Sequence, residues 1–121
     1  MAWDAGGHII GTISNEPRLK TLTNGGTVVN FTVEARPRHY DRDVGEFREV
    51  TPVRIRCNAW YDLGDHVMAS LHKGDRVYVA GRFKNNDYTD DKGVVRELVE
   101  IDVDSIGPDL RYVSVKVLTQ P

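Results

Sequence analysis

Apolar residues recur along most of this chain at every second position, the period of a strand with one buried face, and only once at helical spacing. The clearest strand is Thr27 to Ala35, where Val29, Phe31 and Val33 alternate with Val28, Asn30, Thr32 and Glu34. His8 to Ile13 carries apolar groups on both faces, so it calls for two partners, the domain core and a second surface such as another subunit. Gly11 inside it points to a bulge or a close backbone approach. Arg18 to Leu22 follows the Asn15-Glu16-Pro17 turn, and Asn24-Gly25-Gly26 supplies residues that accept positive φ for a hairpin reversal. Arg36 to Gly45 is too charged and interrupted for a helix or a central strand and reads as an exposed loop rich in Arg and aromatics. Phe47 to Trp60 reads as a strand broken near Pro52. Leu63, Val67 and Leu71 stand four apart and predict a helix over Asp62 to His72, with Asp62 as N-cap and Gly74 as the stop. Arg76 to Phe83 and Val94 to Val103 are two more alternating strands, joined by a polar stretch, Lys84 to Gly93, that reads as a long projecting hairpin.

Three strands, a helix and two strands is the order of the OB-fold, a small Greek-key barrel whose central strands and hairpin loops bind oligonucleotides. An SH3-like barrel or a small sandwich has a similar strand count, and the position of the single helix favours the OB-fold. The fold class expected is therefore all-β: a five-stranded OB-fold barrel with one helix between strands three and four. Beyond the Gly107-Pro108 break, Val113, Val115 and Val117 alternate with Ser114 and Lys116, so Arg111 to Leu118 reads as an extra C-terminal strand. A five-stranded barrel has no vacant place for it. The expected organisation is a barrel domain over residues 1–110 and an appended strand and end over 111–121.

At 121 residues the chain suffices for one core and is too short for two. It has no apolar run long enough to cross a bilayer and begins without a basic or apolar leader, so a cytoplasmic protein is expected. Cys57 alone forms no internal disulfide, and one cysteine with four scattered histidines gives no metal-ligand spacing; no cofactor is expected. Gly25-Gly26 lacks the Lys and Ser/Thr of a phosphate loop, and no Ser, His and Asp constellation falls at one site, so an enzyme is not expected. The net charge of −2 runs against nucleic-acid binding, but its distribution is uneven. Basic residues outnumber acidic ones from Arg18 to Arg56, whereas Glu97, Glu100, Asp102, Asp104 and Asp109 form an acidic run. One positive and one negative face are expected.

The stretch that carries chemistry is Arg54 to Trp60. As a strand it turns Ile55, Cys57 and Ala59 to the core and Arg54, Arg56, Asn58 and Trp60 to the other face. Packing explains the first set and not the second. Two guanidinium groups and an indole in one row neutralise phosphates and stack on bases, the combination that binds single-stranded nucleic acid. A solvated face with Trp60 folded over the core rim is the competing reading. Cys57, on the apolar face, reads as a core thiol.

Several motifs in combination resemble the bacterial single-stranded DNA-binding protein family, from about Ile10 to Gly107. Ile10-Gly11-Thr12-Ile13 is similar to its first strand, Glu16-Pro17 to its acidic turn, Asn24-Gly25-Gly26 to its first hairpin and Asn30-Phe31-Thr32-Val33 to its second strand. Gly45-Glu46 resembles the tip of its long second hairpin, and Val77-Tyr78-Val79-Ala80-Gly81-Arg82 its fourth strand. The resemblance implies non-sequence-specific binding and protection of single-stranded DNA in replication, recombination and repair by a homotetramer. It also implies stacking at Trp60 and Tyr88, an Arg role for Arg56, and a loop aromatic at His39 or Tyr40. With the loop arginines Arg36 and Arg38, and with Arg54 and Lys84, these residues make up the candidate DNA-binding set. Arg54 stands where the family often has an aromatic, and the approach to Tyr88 is less basic than usual, which implies weaker binding than the family norm. In a branch of the family a strand after a similar Ile-Gly-Pro clasps a neighbouring subunit. Family members typically continue into a flexible linker and an acidic tip that recruits partner proteins; the sequence ends at Gln120-Pro121, as expected of a shortened chain or of a paralogue without that tail. A protein- or RNA-binding OB module without a DNA role is the alternative.

Overall fold

The computed structural model describes residues 5–49 and 51–118, with backbone alone at Arg38, His39 and Glu49. The elements in chain order are β1 (Gly6–Ile13), β2 (Arg18–Thr21), β3 (Thr27–Ala35), β4 (Arg38–Asp41), β5 (Glu46–Glu49), β6 (Val53–Trp60), α1 (Asp62–Ser70), β7 (Arg76–Asn85), β8 (Tyr88–Thr89), β9 (Val95–Arg96) and β10 (Val99–Pro108). Five of the strands close on themselves: β1 pairs with β7, β7 with β10, β10 with β6, β6 with β3, and β3 with β1. Only the β10–β6 pairing is parallel, as a Greek-key closure requires. The expected OB barrel is thus present, with α1 between its third and fourth strands. No helix among the described residues is long and apolar enough to cross a membrane.

Alternation decides what faces inward. Val29, Phe31 and Val33 of β3, Cys57 and Ala59 of β6, Val77 and Val79 of β7, and Ile101 and Val103 of β10 fill the barrel, and Val67 and Leu71 close one end. The barrel closes where β1 leaves β7 for β3. A Cβ on Gly11 would lie 2.4 Å from the Glu34 carbonyl oxygen, so the glycine reflects close backbone approach rather than a bulge. The irregularity lies in β10, between Val103 and Ser105. At the β2–β3 turn, Gly25 takes a φ of 86°, the left-handed conformation expected of that hairpin.

Four expectations are corrected. The Arg36 to Gly45 stretch is no loop: β4 and β5 form a hairpin with Tyr40 opposite Phe47 and Asp41 opposite Glu46. A two-stranded ribbon outside the core needs no buried face, so apolar alternation does not mark it. The strand break near Pro52 separates this ribbon from β6. Asp62 is the first helical residue rather than the N-cap; the sharp reversal out of β6 is taken by Tyr61 at a φ of 54°, without a side-chain cap, and Asp62 and Asp65 face the positive end of the helix dipole. The helix ends at Ser70, because Leu71 turns extended and enters the core, 4% exposed. Arg111 to Leu118 forms no ladder in the single chain. A strand exists only with a partner, and residues 111–118 make no strand pairing within the chain.

Candidate nucleic-acid interface

The outer face of β6 presents Arg54, Arg56, Asn58 and Trp60 over about 20 Å, at roughly 3.3 Å per residue. Strand registers set what flanks it. On one side β3 places Glu34 opposite Arg54, Thr32 opposite Arg56 and Asn30 opposite Asn58. On the other, β10 places Glu100 beside Arg56 and Asp102 beside Asn58, and β7 adds Lys84 and Arg82 beyond them. Both arms, β4–β5 and β8–β9, leave the barrel at the end where β6 begins, because β3 ends opposite Val53 and β10 starts one residue before the Glu100–Arg56 pair. They therefore flank the Arg54 end, while Trp60 closes the row at the other.

The acidic run is not segregated onto a face of its own. Its alternate members on β10 point outward between two basic strands: Glu100 lies 3.9 Å from Arg56 Nε, Asp102 is 3.2 Å from Lys84 Nζ, and Asp104 is 3.7 Å from Arg82. Opposite charges on adjacent strands attract, which explains why the net negative chain still folds a basic row here. Glu100 is 2% exposed and accepts hydrogen bonds from Asn58 Nδ2 at 2.8 Å and Asn86 Nδ2 at 2.9 Å. A carboxylate this buried is tolerable only with such donors. Asn58 in turn accepts from Asn30 Nδ2 at 2.7 Å.

Trp60 is half-buried. Its indole N–H donates to Asp102 Oδ1 at 3.0 Å, Lys84 Nζ sits 5.4 Å from the ring centroid, and the Tyr61 ring lies 6.4 Å away, tilted by 44°. Burial pushes the Asp102 carboxyl up, but the hydrogen bonds from Trp60 and Lys84 outweigh it and hold the group below the usual carboxylate range. Trp60, Arg56 and Lys84 therefore come together. Arg54 and Arg36 gather instead around Glu34, at 3.4 and 2.9 Å. Tyr40 is 46% exposed and meets Phe47 edge-on at 5.1 Å on the first arm; Tyr88, 54% exposed, stands on the second opposite Arg96. The side chains of Arg38 and His39 lie outside the described residues, as does Trp3.

Sequence reasoning passed over Phe47, 68% exposed beside Tyr40, and Tyr61, 55% exposed beside Trp60. Each has the same signal as the chosen aromatics, a large ring among basic or turn residues. A shallow cleft of about 250 Å³ lined by Asn15, Arg18, Asn30, Thr32 and Arg56 continues the face toward β2.

Residues 6–109 match the Single-strand binding protein family. The chain is 42% identical over 117 residues to the single-stranded DNA-binding protein of Mycobacterium leprae, spanning 97% of this chain and 70% of that one. It is 39% identical over 117 residues to that of Mycolicibacterium smegmatis, spanning 97% and 71%. Among solved structures, the small single-stranded DNA-binding protein from Streptomyces coelicolor matches with a TM-score of 0.75 at 28% identity, over 87% of this chain and 94% of that one. The second such protein from Mycobacterium smegmatis shares the fold, with a TM-score of 0.70 at 24% identity over 97% and 100% of the two chains. A family match across the whole barrel, together with relatives this similar over almost the full sequence, shows that the chain belongs to the single-strand binding protein family.

Proposed function

We propose that this protein binds single-stranded DNA with little sequence preference, stacking bases on aromatics and pairing phosphates with basic side chains, and carries out no catalysis. The observation that carries the reading is the Trp60 platform at the end of the Arg54–Arg56 row, with its indole edge anchored and a lysine beside it. Every base has a stackable face, so such a platform is indifferent to sequence. The binding set is Arg36, Arg38, Tyr40 or His39, and Tyr88 on or beside the arms, with Arg54, Arg56, Trp60 and Lys84 on the barrel. The role is protection of single strands in replication, recombination and repair, in the cytoplasm at the nucleoid, and partner proteins of those processes would meet it there.

The working form is a homotetramer. The outer face of β1 and β7 supports this, because Ile10 and Tyr78 lie adjacent and 40% and 44% exposed, with His8 stacked on Tyr78 at 5.2 Å. A sheet face of this kind favours a second copy. The 111–118 segment adds its strand across such an interface.

Titration of tryptophan fluorescence with dT, dC and mixed oligomers and with duplex of equal charge tests the binding reading. Every single strand should quench and duplex should not. Arg54→Ala with Arg56→Ala should lower the slope of log K against log salt by about 0.7 for each phosphate no longer neutralised. Tighter binding to duplex than to any single strand would leave the OB module for protein or RNA as the better account.

A further inference from the structure

An acid stands inside the basic row at the point where an approaching phosphate would be drawn. Three donors converge on Asp102 Oδ1: Trp60 Nε1 at 3.0 Å, Lys84 Nζ at 3.2 Å and Asn58 Nδ2 at 3.3 Å. The pair is open to solvent, with the Lys84 side chain 40% exposed and that of Asp102 22%. Neither packing nor capping calls for a carboxylate here; cross-strand charge pairing does, because β7 sets Arg82 opposite Asp102 and brings Lys84 to 3.2 Å.

We infer that Asp102 has two opposed effects on DNA binding: it positions the Trp60 indole for stacking, and it competes with the DNA backbone for Lys84. This inference rests on the single-stranded DNA reading and adds a determinant of affinity to it. In the free protein the ammonium of Lys84 is already neutralised. A phosphate pairs with that ammonium in competition with the carboxylate, whose negative charge repels it. Lys84, a member of the binding set, therefore adds less to affinity and to counterion release than it would without the carboxylate. Asp102 also gives the indole N–H a fixed acceptor, so the ring is held in one orientation before DNA arrives. Lys84 Nζ lies 3.2 Å from Asp102, while Arg56 lies 3.9 Å from Glu100 and Arg82 3.7 Å from Asp104.

Asp102→Asn separates the two effects, because an amide oxygen still accepts from Trp60 while the charge on Lys84 is released. With dT oligomers at low salt this variant should bind up to about fivefold more tightly, the range of one exposed ion pair. Its salt slope should steepen by about 0.7, the increment for one more neutralised phosphate. Lys84→Met should abolish both gains when combined with Asp102→Asn. Asp102→Ala should add a loss of fluorescence anisotropy at Trp60, measured with Trp3→Phe in place. An Asp102→Asn chain that binds no more tightly, with an unchanged slope, or a gain that survives Lys84→Met, would overturn the inference. The unaltered protein is titrated alongside: if it fails to bind any single strand, the binding reading and the inference fall together, whereas normal binding with an unresponsive Asp102→Asn removes the inference alone.

Discussion

Trp60 is held by its edge and offered by its face. Its N–H is committed to Asp102, and the ring lies half-buried between Lys84 and Tyr61, an arrangement that suits stacking better than burial. Trp60→Ala should therefore cost about 1 to 3 kcal/mol of binding to dT oligomers, the loss of one stacked base. Circular dichroism and the melting temperature check that the variant is folded; unchanged affinity in a folded variant would return Trp60 to the rim of the core. Cys57, on the same core face as Ala59 and opposite to Trp60, shows the other outcome of alternation. Its thiol is fully buried, and burial, with a smaller contribution from the Glu100 charge, pushes its pKa up to about 12. It stays neutral and packs as a small apolar group. The face each side chain takes follows from parity along β6 and was readable from Arg54 to Trp60 alone; the choice between stacking and the core rim for Trp60 was not. The acceptor for the indole was not, because it lies 42 residues away in the chain.

Among the elements, β1 carries the closure of the barrel. It pairs with β7 along most of its length and with β3 at Thr12 and Ile13, and Gly11 lies at the crossing with no room for a side chain against the Glu34 backbone. The clash would be with backbone, which cannot rotate away. Gly11→Ala should destabilise the fold by about 1 to 3 kcal/mol, the usual cost of overpacking, read as a lower denaturant midpoint with unchanged slope. An unshifted midpoint would show that the strands can part at this crossing. The glycine itself stood out in the sequence as an interruption of an apolar strand. The β4–β5 ribbon showed only in the resemblance of Gly45-Glu46 to a hairpin tip and not in the apolar pattern, because its cross-strand pairs, Tyr40 with Phe47 among them, are made outside the core.

Among the described residues, two stretches of exposed apolar surface bear on assembly. Ile10 and Tyr78 mark the outer sheet face, and in the last segment Val113, Val115, Val117 and Leu118 are 52%, 48%, 87% and 83% exposed. A recess of about 930 Å³ lies near both, bounded by Ile10, Thr12, Glu34, Arg76 and Tyr112. The Arg76 guanidinium, 5.4 Å from the Tyr112 ring centroid and 2.9 Å from Asp109, ties the start of the segment to the barrel. Removal of the residues after Leu110 should leave the barrel and its DNA affinity per subunit intact while lowering the melting temperature or loosening the proposed tetramer. Sedimentation and thermal melts before and after truncation read this directly. If both are unaltered, the segment does not clasp a neighbour.

The linear order of residues was enough to determine which side chains enter the core, how many barrel strands there are and where the helix falls. Those depend on local alternation and on a single helical repeat, and burial acts on them one face at a time. The Val29, Phe31, Val33 pattern and the Leu63, Val67, Leu71 pattern each carry their answer within a few residues. Charge behaved differently. Glu100, Asp102 and Asp104 read along the chain as one acidic block, yet on a strand they stand between the basic rows of β6 and β7, and only the parallel register of β10 against β6 decides that Asp102 meets Asn58 and reaches Trp60. The tight reversal at Tyr61 and the closure of β1 onto β3 were likewise settled by distant contacts. Pairing between strands far apart in sequence is set by the packing of the whole barrel, and a one-dimensional pattern holds no record of which neighbour a polar face will acquire.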